Sequence, residues 1–341
     1  MPTSVKSIAQ ELSISTASVS RALNDQPGVG ENLRARILEK AAELDLRQHM
    51  GARGLASAQS FTLGFFIRKK QDLSPYSDPF YGEILHGVEQ VVNGSAYHLA
   101  IASLDDEMLR DPESFRYVRE RRIDGMILAG PDIPADFILP MLRSGVPVVL
   151  VDNLLEFTQS HAVTSDDEGG AYQAARYLLA LGHTQIGLIA GPEAWSSNRN
   201  RERGYRRALA EAGYPLAVVH MDWTNIDTGR AAFTRLLAQA PDVTAVAAVN
   251  DSMAFGALLS ARAAGLRVPH DLSIIGFDDL SWAALSDPPL TTIHIPKHQL
   301  GAEAARRLLS LLNATPQVAT HLLLSVSLIE RSTCATCIAR G

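Results

Sequence analysis

The stretch Ser4-Val-Lys-Ser-Ile-Ala-Gln-Glu-Leu-Ser-Ile-Ser-Thr-Ala-Ser-Val-Ser-Arg-Ala-Leu-Asn24 decides how the amino-terminal end of the chain folds. Val5, Ile8, Ala9 and Leu12 recur at helical spacing, so one short helix carries a single apolar stripe. Ser4 is a plausible N-cap for it. Ser13-Ile14-Ser15 breaks the period, and a second stripe (Val19, Ala22, Leu23) starts after the cap-type residue Ser15. Helices this short cannot bury their faces alone. A third amphipathic run over 31–44, with Leu33, Ile37, Ala41 and Leu44 on one side, closes a three-helix core over them.

Two helices joined by a tight turn at this spacing form a helix-turn-helix, whose second helix lies in a major groove. The outward residues of that second helix are Thr16, Ala17, Ser18, Ser20, Arg21 and Asn24. Arg21 suits a bidentate contact with a guanine edge, and Ala17 with the Thr16 methyl suits a thymine methyl. Ser15 and Ser20 suit phosphate, which fixes register without reading sequence. The same pattern also fits a capped three-helix bundle with a solvated serine-rich face. Charge decides little between them. Residues 1–57 hold seven Lys/Arg against six Asp/Glu, near +1, so with a chain total of −6 the remainder is near −7. The strongly basic face usual in nucleic-acid binders is missing.

With 341 residues, 46% hydrophobic and 20% charged, the chain is large enough for two or three cores. No apolar run is long enough to span a bilayer, and the amino terminus has no secretory pattern. The expectation is a cytoplasmic protein with no membrane partner, associated with the nucleoid when bound to DNA. Cys334 and Cys337 are the only cysteines. Two ligands alone do not make a zinc site, so neither a metal nor a cofactor is expected, and residues 333–341 are expected to be a frayed, reduced tail.

After Leu44 the composition turns small and glycine-containing, as in 50–60, which suits a linker that orders only when held. From Phe61 onward a different rhythm begins. Apolar β-rich runs occur at 61–67, 98–103, 125–129, 147–152, 162–164, 185–190, 216–221, 245–250, 272–277 and 290–295. Helical patterns lie between most of them, at 79–92, 168–181, 201–212, 228–238, 252–264 and 298–312. Strands alternating with helices predict parallel sheets covered on both faces. About ten strands exceed what one sheet usually carries, so two similar lobes are expected. The polar loop 156–161 is the expected break between them, with a second crossing near 287–290.

Open α/β sheets bind ligands at the carboxyl ends of their strands. Asp152, Asn250-Asp251 and Asp278-Asp279 fall there, and Arg201 lies near the start of a helix after Gly191. Acids, an amide and an arginine facing one cleft match vicinal hydroxyls. Phe80, Tyr81 and Trp223 offer flat rings for the C–H face of a sugar. Duller roles fit some of these: Asp251 as an N-cap for 252–264, Asp279 as a brace, Phe80 and Tyr81 as core. The chain carries no G-x-G-x-x-G, P-loop, H-E-x-x-H or G-x-S-x-G, so an enzyme is not expected.

Several stretches together resemble the LacI/GalR family of bacterial transcriptional regulators. They are Ser18-Val-Ser-Arg-Ala-Leu-Asn24, Leu181-Gly-His-Thr-Gln-Ile-Gly187 with Ala190-Gly191, and Val249-Asn-Asp-Ser-Met-Ala-Phe-Gly256. Gly265-Leu-Arg-Val-Pro269, Asp271-Leu-Ser-Ile-Ile-Gly-Phe-Asp-Asp279 and Pro289-Leu-Thr-Thr-Ile293 follow in the family's order. The resemblance implies an all-α helix-turn-helix head with a hinge helix (1–57, hinge about 49–57). It also implies an α/β core like periplasmic binding proteins, of two parallel-sheet lobes (60–332; lobe 1 about 60–158 and 291–319, lobe 2 about 159–290 and 320–332). By position, Thr16, Ala17 and Arg21 would read bases, and Leu55 would wedge into the minor groove from the hinge. Asp152, Arg201, Asn250 and Asp278 would hold effector hydroxyls. Trp223 would cover a sugar ring as in the lac-repressor branch, while Phe80 and Tyr81 match the effector-lining pair of the purine-repressor branch.

Ser13 stands where the family usually has glycine, and the lead-in Leu46-Arg-Gln-His49 lacks the usual Tyr and Pro. The tail has no leucine heptads, so a homodimer is expected rather than a tetramer. The function implied is a sequence-specific regulator, a repressor of a carbohydrate-use operon, that binds double-stranded operator DNA and is switched by a saccharide. The alternatives are a purine-responsive regulator of the same family or a sugar sensor without DNA binding.

Overall fold

A computed structural model describes residues 5–23, 27–43, 59–69, 77–156, 158–313 and 318–337. Asn24, Leu55, the whole predicted hinge and its lead-in lie outside these residues, as does Ser4. The first three elements are helices: α1 (Val5–Glu11), α2 (Thr16–Leu23) and α3 (Glu31–Glu43). Ile8, Ala9, Val19, Ala22, Ile37 and Ala41 form their common core, with Leu12, Ile14, Leu23 and Leu33 packed around it. In the turn, Ser13 has φ +52°, a left-handed conformation that glycine adopts without penalty and serine does not. The Ile14 N–H donates to Ala9 O at 3.0 Å and the Ser13 N–H to Gln10 O at 3.2 Å. The turn therefore closes on the orphan carbonyls of α1, as a helix C-terminus requires.

The remainder is α/β. In chain order it runs β1 (Thr62–Arg68), α4 (Pro79–Asn93), β2 (His98–Leu104), α5 (Asp106–Arg110), α6 (Arg116–Arg119), β3 (Gly125–Ala129), α7 (Ala135–Arg143), β4 (Val148–Val151) and β5 (His161–Ser165). There follow α8 (Asp167–Ala180), β6 (Ile186–Ala190), α9 (Ser196–Glu211), β7 (Leu216–His220), α10 (Ile226–Gln239), β8 (Ala245–Ala248), α11 (Asp251–Ala263) and β9 (Ser273–Ile275). The chain closes with β10 (Thr292–His294), α12 (Lys297–Asn313), β11 (His321–Leu324) and β12 (Ser327–Ile329).

The first lobe is a parallel six-stranded sheet in the order β11-β5-β4-β3-β1-β2. The second is a parallel four-stranded sheet, β7-β6-β8-β9, extended by a bridge from Ile275 to Thr291 and by the antiparallel pair β10-β12. Strands such as β3 and β4 are buried along their whole length, as sheets covered on both faces require. On the first lobe α4 and α12 cross almost in backbone contact. A Cβ added at Gly301 would lie 1.8 Å from Ile84 O, and one at Gly87 would lie 1.9 Å from His298 O.

The lobe boundaries differ from those read in the sequence. β5 pairs with β4 and β11, so it belongs to the first sheet, and the chain crosses after Ser165 rather than within 156–161. The polar loop 156–161 is a strand-to-strand connection, and the true crossing runs through Ser165-Asp-Asp-Glu168, a second polar run that doubles as the start of the following helix. The crossing expected near 287–290 falls instead between β10 and α12, which packs on β3, β4, β5 and α4. β11 returns to the first sheet, and the chain crosses a third time to reach β12 in the second.

The expected frayed tail is also corrected. Thr333 Oγ1 accepts from the Thr291 N–H at 2.8 Å, His183 Nε2 lies 3.0 Å from Ala335 O, and the Cys337 N–H donates to Leu181 O at 2.8 Å. Residues 333–337 are stitched to the second lobe. Burial pushes the Cys334 thiol up to about 12, which keeps it protonated. Both cysteines are free.

Candidate functional site

On α2 the side chains of Thr16, Ala17 and Arg21 are exposed, while Ser18 and Ser20 are half-buried. Ser15 is exposed too, but its Oγ accepts from the Ser18 N–H at 3.0 Å and lies 2.9 Å from Ser18 Oγ. Ser15 is therefore the N-cap of α2 and satisfies one of its orphan donors. Val19 and Ala22 hold the opposite face in the head's core, which fixes how the outward face is presented.

Between the lobes lies a cleft of about 720 Å³. Phe80, Tyr81, Asp152, Arg201, Trp223, Asn250 and Asp278, drawn from six separate stretches of chain, all line it. In the first lobe Asp78 caps α4, accepting from the Phe80 N–H at 3.0 Å and the Tyr81 N–H at 3.3 Å. Pro79 at the first helical position suits that start. Both rings are thereby aimed at the cleft, and the core role weighed for them is partly right, since each is mostly buried. At the end of β4, Asp152 has φ +52°, a bend Asp tolerates better than most residues. Its Oδ2 accepts from the Tyr81 hydroxyl at 2.8 Å. Burial, then the nearby Asp167 charge, push the Asp152 carboxyl up to about 7.

In the second lobe Arg201 is the centre. It sits in the second turn of α9, only 5% exposed. Its Nε donates to Asp167 Oδ1 at 2.8 Å, and its Nη1 donates to Asp278 Oδ1 at 3.2 Å and to Val249 O. The guanidinium carbon lies 4.0 Å from the Phe277 ring centroid, a cation–π contact. Burial disfavours its charge, but Asp167, Asp278 and Asp152 outweigh that and hold it firmly protonated. Burial raises Asp278 against the pull of Arg201, and the Asp251 charge adds to the rise. This is a fully buried arginine wired to a carboxylate pair, with its remaining edge on the cleft.

Asn250 caps α11 with its Oδ1 on the Met253 N–H at 2.9 Å, and its amide donates to Thr224 O at 3.3 Å. Asp251 is therefore not the cap that its position suggested. Its Oδ2 accepts from the Leu280 N–H at 2.8 Å and its Oδ1 from Thr292 Oγ1 at 2.6 Å, bracing the loop behind Asp278. Asp279, at φ +54°, is a brace too, 2.6 Å from Arg331 Nη2 and 2.9 Å from His294 Nδ1.

Several groups at or behind the cleft escaped the sequence reading, and three of them shape it most. Trp195 packs edge-to-face on Trp223, with centroids 5.1 Å apart and planes at 76°, and also lines the cleft. It follows the carboxyl end of β6, so the strand-end rule pointed to it. Asp167 looks like any acid in a helix's first turn, and nothing local marks it as the partner of Arg201. Lys297 is almost wholly buried. From the start of α12 it donates to Asp278 O at 2.7 Å and Asp279 O at 3.0 Å, with Glu83 of α4 3.8 Å away. It ties the first lobe's helices to the second lobe's loop at Asp278-Asp279.

Residues 175–334 match the family model described as a periplasmic binding protein-like domain. The transcriptional repressor CytR of Escherichia coli K12 is 34% identical over 309 residues, covering 89% of this chain and 88% of the relative. The chain belongs to the LacI family. The lac repressor dimer, solved bound to operator and an anti-inducer, superposes with a TM-score of 0.82 at 26% identity, over 98% of this chain and all of that one. The regulator CelR in complex with cellobiose gives 0.73 at 27%, over 97% of this chain and all of that one. This LacI-family chain is thus a DNA-binding transcriptional regulator, and its relatives are repressors rather than enzymes. Among the described residues no helix is long and apolar enough to cross a membrane.

Proposed function

We propose that this regulator represses a carbohydrate-use operon in the cytoplasm as a homodimer and is switched by a sugar in the interlobe cleft. The observation that carries the proposal is the convergence of Asp152, Arg201, Asn250 and Asp278 on one cleft beside Trp223. Carboxylates and a guanidinium bind neighbouring hydroxyls in pairs, and an indole face suits the C–H side of the ring. The structural neighbour CelR was solved as a complex with cellobiose, which supports a sugar as the ligand class. Exposed Leu285 and Ile226 on the second lobe, and Leu322 and Leu323 on the edge strand of the first, supply apolar surface for a second copy.

In a dimer two heads reach successive major-groove faces ~34 Å apart, on a pseudo-palindrome. Thr16, Ala17 and Arg21 read base edges, with Ser18, Ser20 and Asn24 beside them. Leu55 wedges into the minor groove from the hinge segment. The sugar favours one angle between the lobes, and that angle decides whether the two hinge segments can pair on DNA. A ligand acts only through its differential affinity for the two arrangements.

A thermal-shift panel of monosaccharides, disaccharides and purines against the whole chain tests the ligand class. A saccharide that raises the melting temperature in a concentration-dependent way is the expected result. A purine that does so while no saccharide does overturns it, and Phe80 and Tyr81 make that the second reading. For the wedge, Leu55→Ala should weaken operator binding far more than binding to unrelated duplex; equal losses would refute it.

A further inference from the structure

Resting on the sugar reading above, we propose that the cleft has two ring subsites and takes a neutral disaccharide or longer glycan, with the second ring held by Trp195. The cleft is graded in depth. Asp152, Arg201 and Asp278 at its floor are buried, Trp195 and Trp223 are half-buried, and Asn225 and Asp227 beyond them are exposed. Its volume of about 720 Å³ lies well up the range of small-molecule pockets, which run from roughly 300 to 1,000 Å³. One ring seated on the buried floor leaves the outer part unfilled.

The tryptophan pair says what fills it. In an edge-to-face pair each ring keeps at least one face that the other does not cover. The planes of Trp195 and Trp223 stand at 76°, so these faces form a corner and not one flat wall. A single pyranose lies flat on one indole at a time. Two linked rings can use both, the first over Trp223 beside Asn250 and the second along Trp195. Neither indole is needed as core, since neither is buried.

The charge lining the cleft favours a neutral ligand. Six carboxyls line the cleft (Asp78, Asp106, Asp132, Asp152, Asp227 and Asp278) against three cations. Two of those cations are engaged: Arg68 pairs with Asp106 at 3.0 Å, and Arg201 with Asp167 and Asp278. With Asp106 and Asp278 paired to those arginines and Asp152 pushed up to about 7, Asp78, Asp132 and Asp227 still outnumber Lys69, so a uronate or sugar phosphate would meet a field of its own sign.

The test is isothermal titration of the whole chain with glucose, galactose and ribose, with cellobiose, maltose, lactose and trehalose, and with glucuronate. At least one disaccharide should bind roughly tenfold or more tighter than its component sugars, and glucuronate weaker than glucose. Trp195→Ala should reduce the disaccharide's affinity by about tenfold and its component's by much less, and Trp195→Phe should restore most of the difference. Unchanged operator binding by each variant certifies its fold. A disaccharide no tighter than its components, or equal losses on both with Trp195→Ala, overturns the second subsite while leaving a sugar effector standing. If no saccharide on the panel binds, both the inference and the sugar reading fall.

Discussion

The two lobes meet the cleft in different ways. The second lobe presents a finished network in which Arg201 is already held by Asp167, Asp278 and Val249 O, with two tryptophans beside it. The first lobe presents smaller groups that are not joined to one another: the ion pair Arg68–Asp106, Phe80, and Tyr81 bonded to Asp152, whose carboxyl burial has pushed up to about 7. A preorganised side binds without first rearranging, which makes it the natural grip. Under the proposed function, the sparser side gains most from contact with a ligand, so it would carry the angular signal. Lys297 joins the two, because it leaves a first-lobe helix and ends on the second lobe's carbonyls.

Arg201→Ala should break the grip outright. Effector affinity should fall by more than about 100-fold, because two buried carboxylates lose their partner. Operator binding should survive, measured by anisotropy. Arg201→Lys should not rescue it, since an ammonium cannot replace the planar fork. A variant that still responds at the wild-type effector concentration would mean the lobes' roles are reversed or shared.

Lys297→Met sharpens the contrast between holding the ligand and reporting it. It leaves the carbonyls of 278–279 short of a donor, a loss of about 1–3 kcal/mol in urea unfolding. Effector affinity should change little while the effector's influence on operator binding shrinks. Equal loss of both would show that Lys297 serves only to shape the pocket.

The first lobe's carboxyl predicts a pH effect. Asp152 is raised in the folded state above its unfolded value, so the fold binds an extra proton between those two values. Stability from this group is present below pH ~4 and is lost as pH rises through about 7. The melting temperature of the ligand-free chain should fall across that window by several degrees, because a rise from the ordinary carboxyl value to about 7 is worth roughly 4 kcal/mol. Asp152→Asn should flatten the fall, and a pH profile unchanged by it would contradict the assignment. The smallest effect lies far from the cleft. Ser13→Gly relieves the left-handed turn of the head and should stabilise the isolated transition of that region by ~1 kcal/mol.

Much of this was legible from the chain because of what each signal depends on. Strands such as 125–129 and 147–152 announce themselves through unbroken apolar runs, and the strand-end rule then found Asp152, Asn250 and Asp278 without any contact information. The head was read from its 3.6-residue stripes, which survive even with serine in the turn. Lobe membership was harder. His161–Ser165 follows a polar loop yet sits inside the first sheet, between β11 and β4, because pairing partners are set by topology and not by local composition. Asp167 and Lys297 were invisible for the same reason: each acts on a group far away in sequence, 34 residues for Asp167 to Arg201. Asn250 took the cap expected of Asp251, which braces the loop behind it instead, because adjacent cap-type residues differ by one position of backbone geometry that the sequence does not print.

The most direct test of the account is an anisotropy titration of a selected pseudo-palindromic duplex with the full chain, with and without a saturating saccharide from the binding panel. A coupling of about 1–3 kcal/mol predicts that the apparent Kd for the duplex moves by roughly 5- to 150-fold. A Kd that stays the same while the sugar is bound would contradict the claim that the cleft governs the heads.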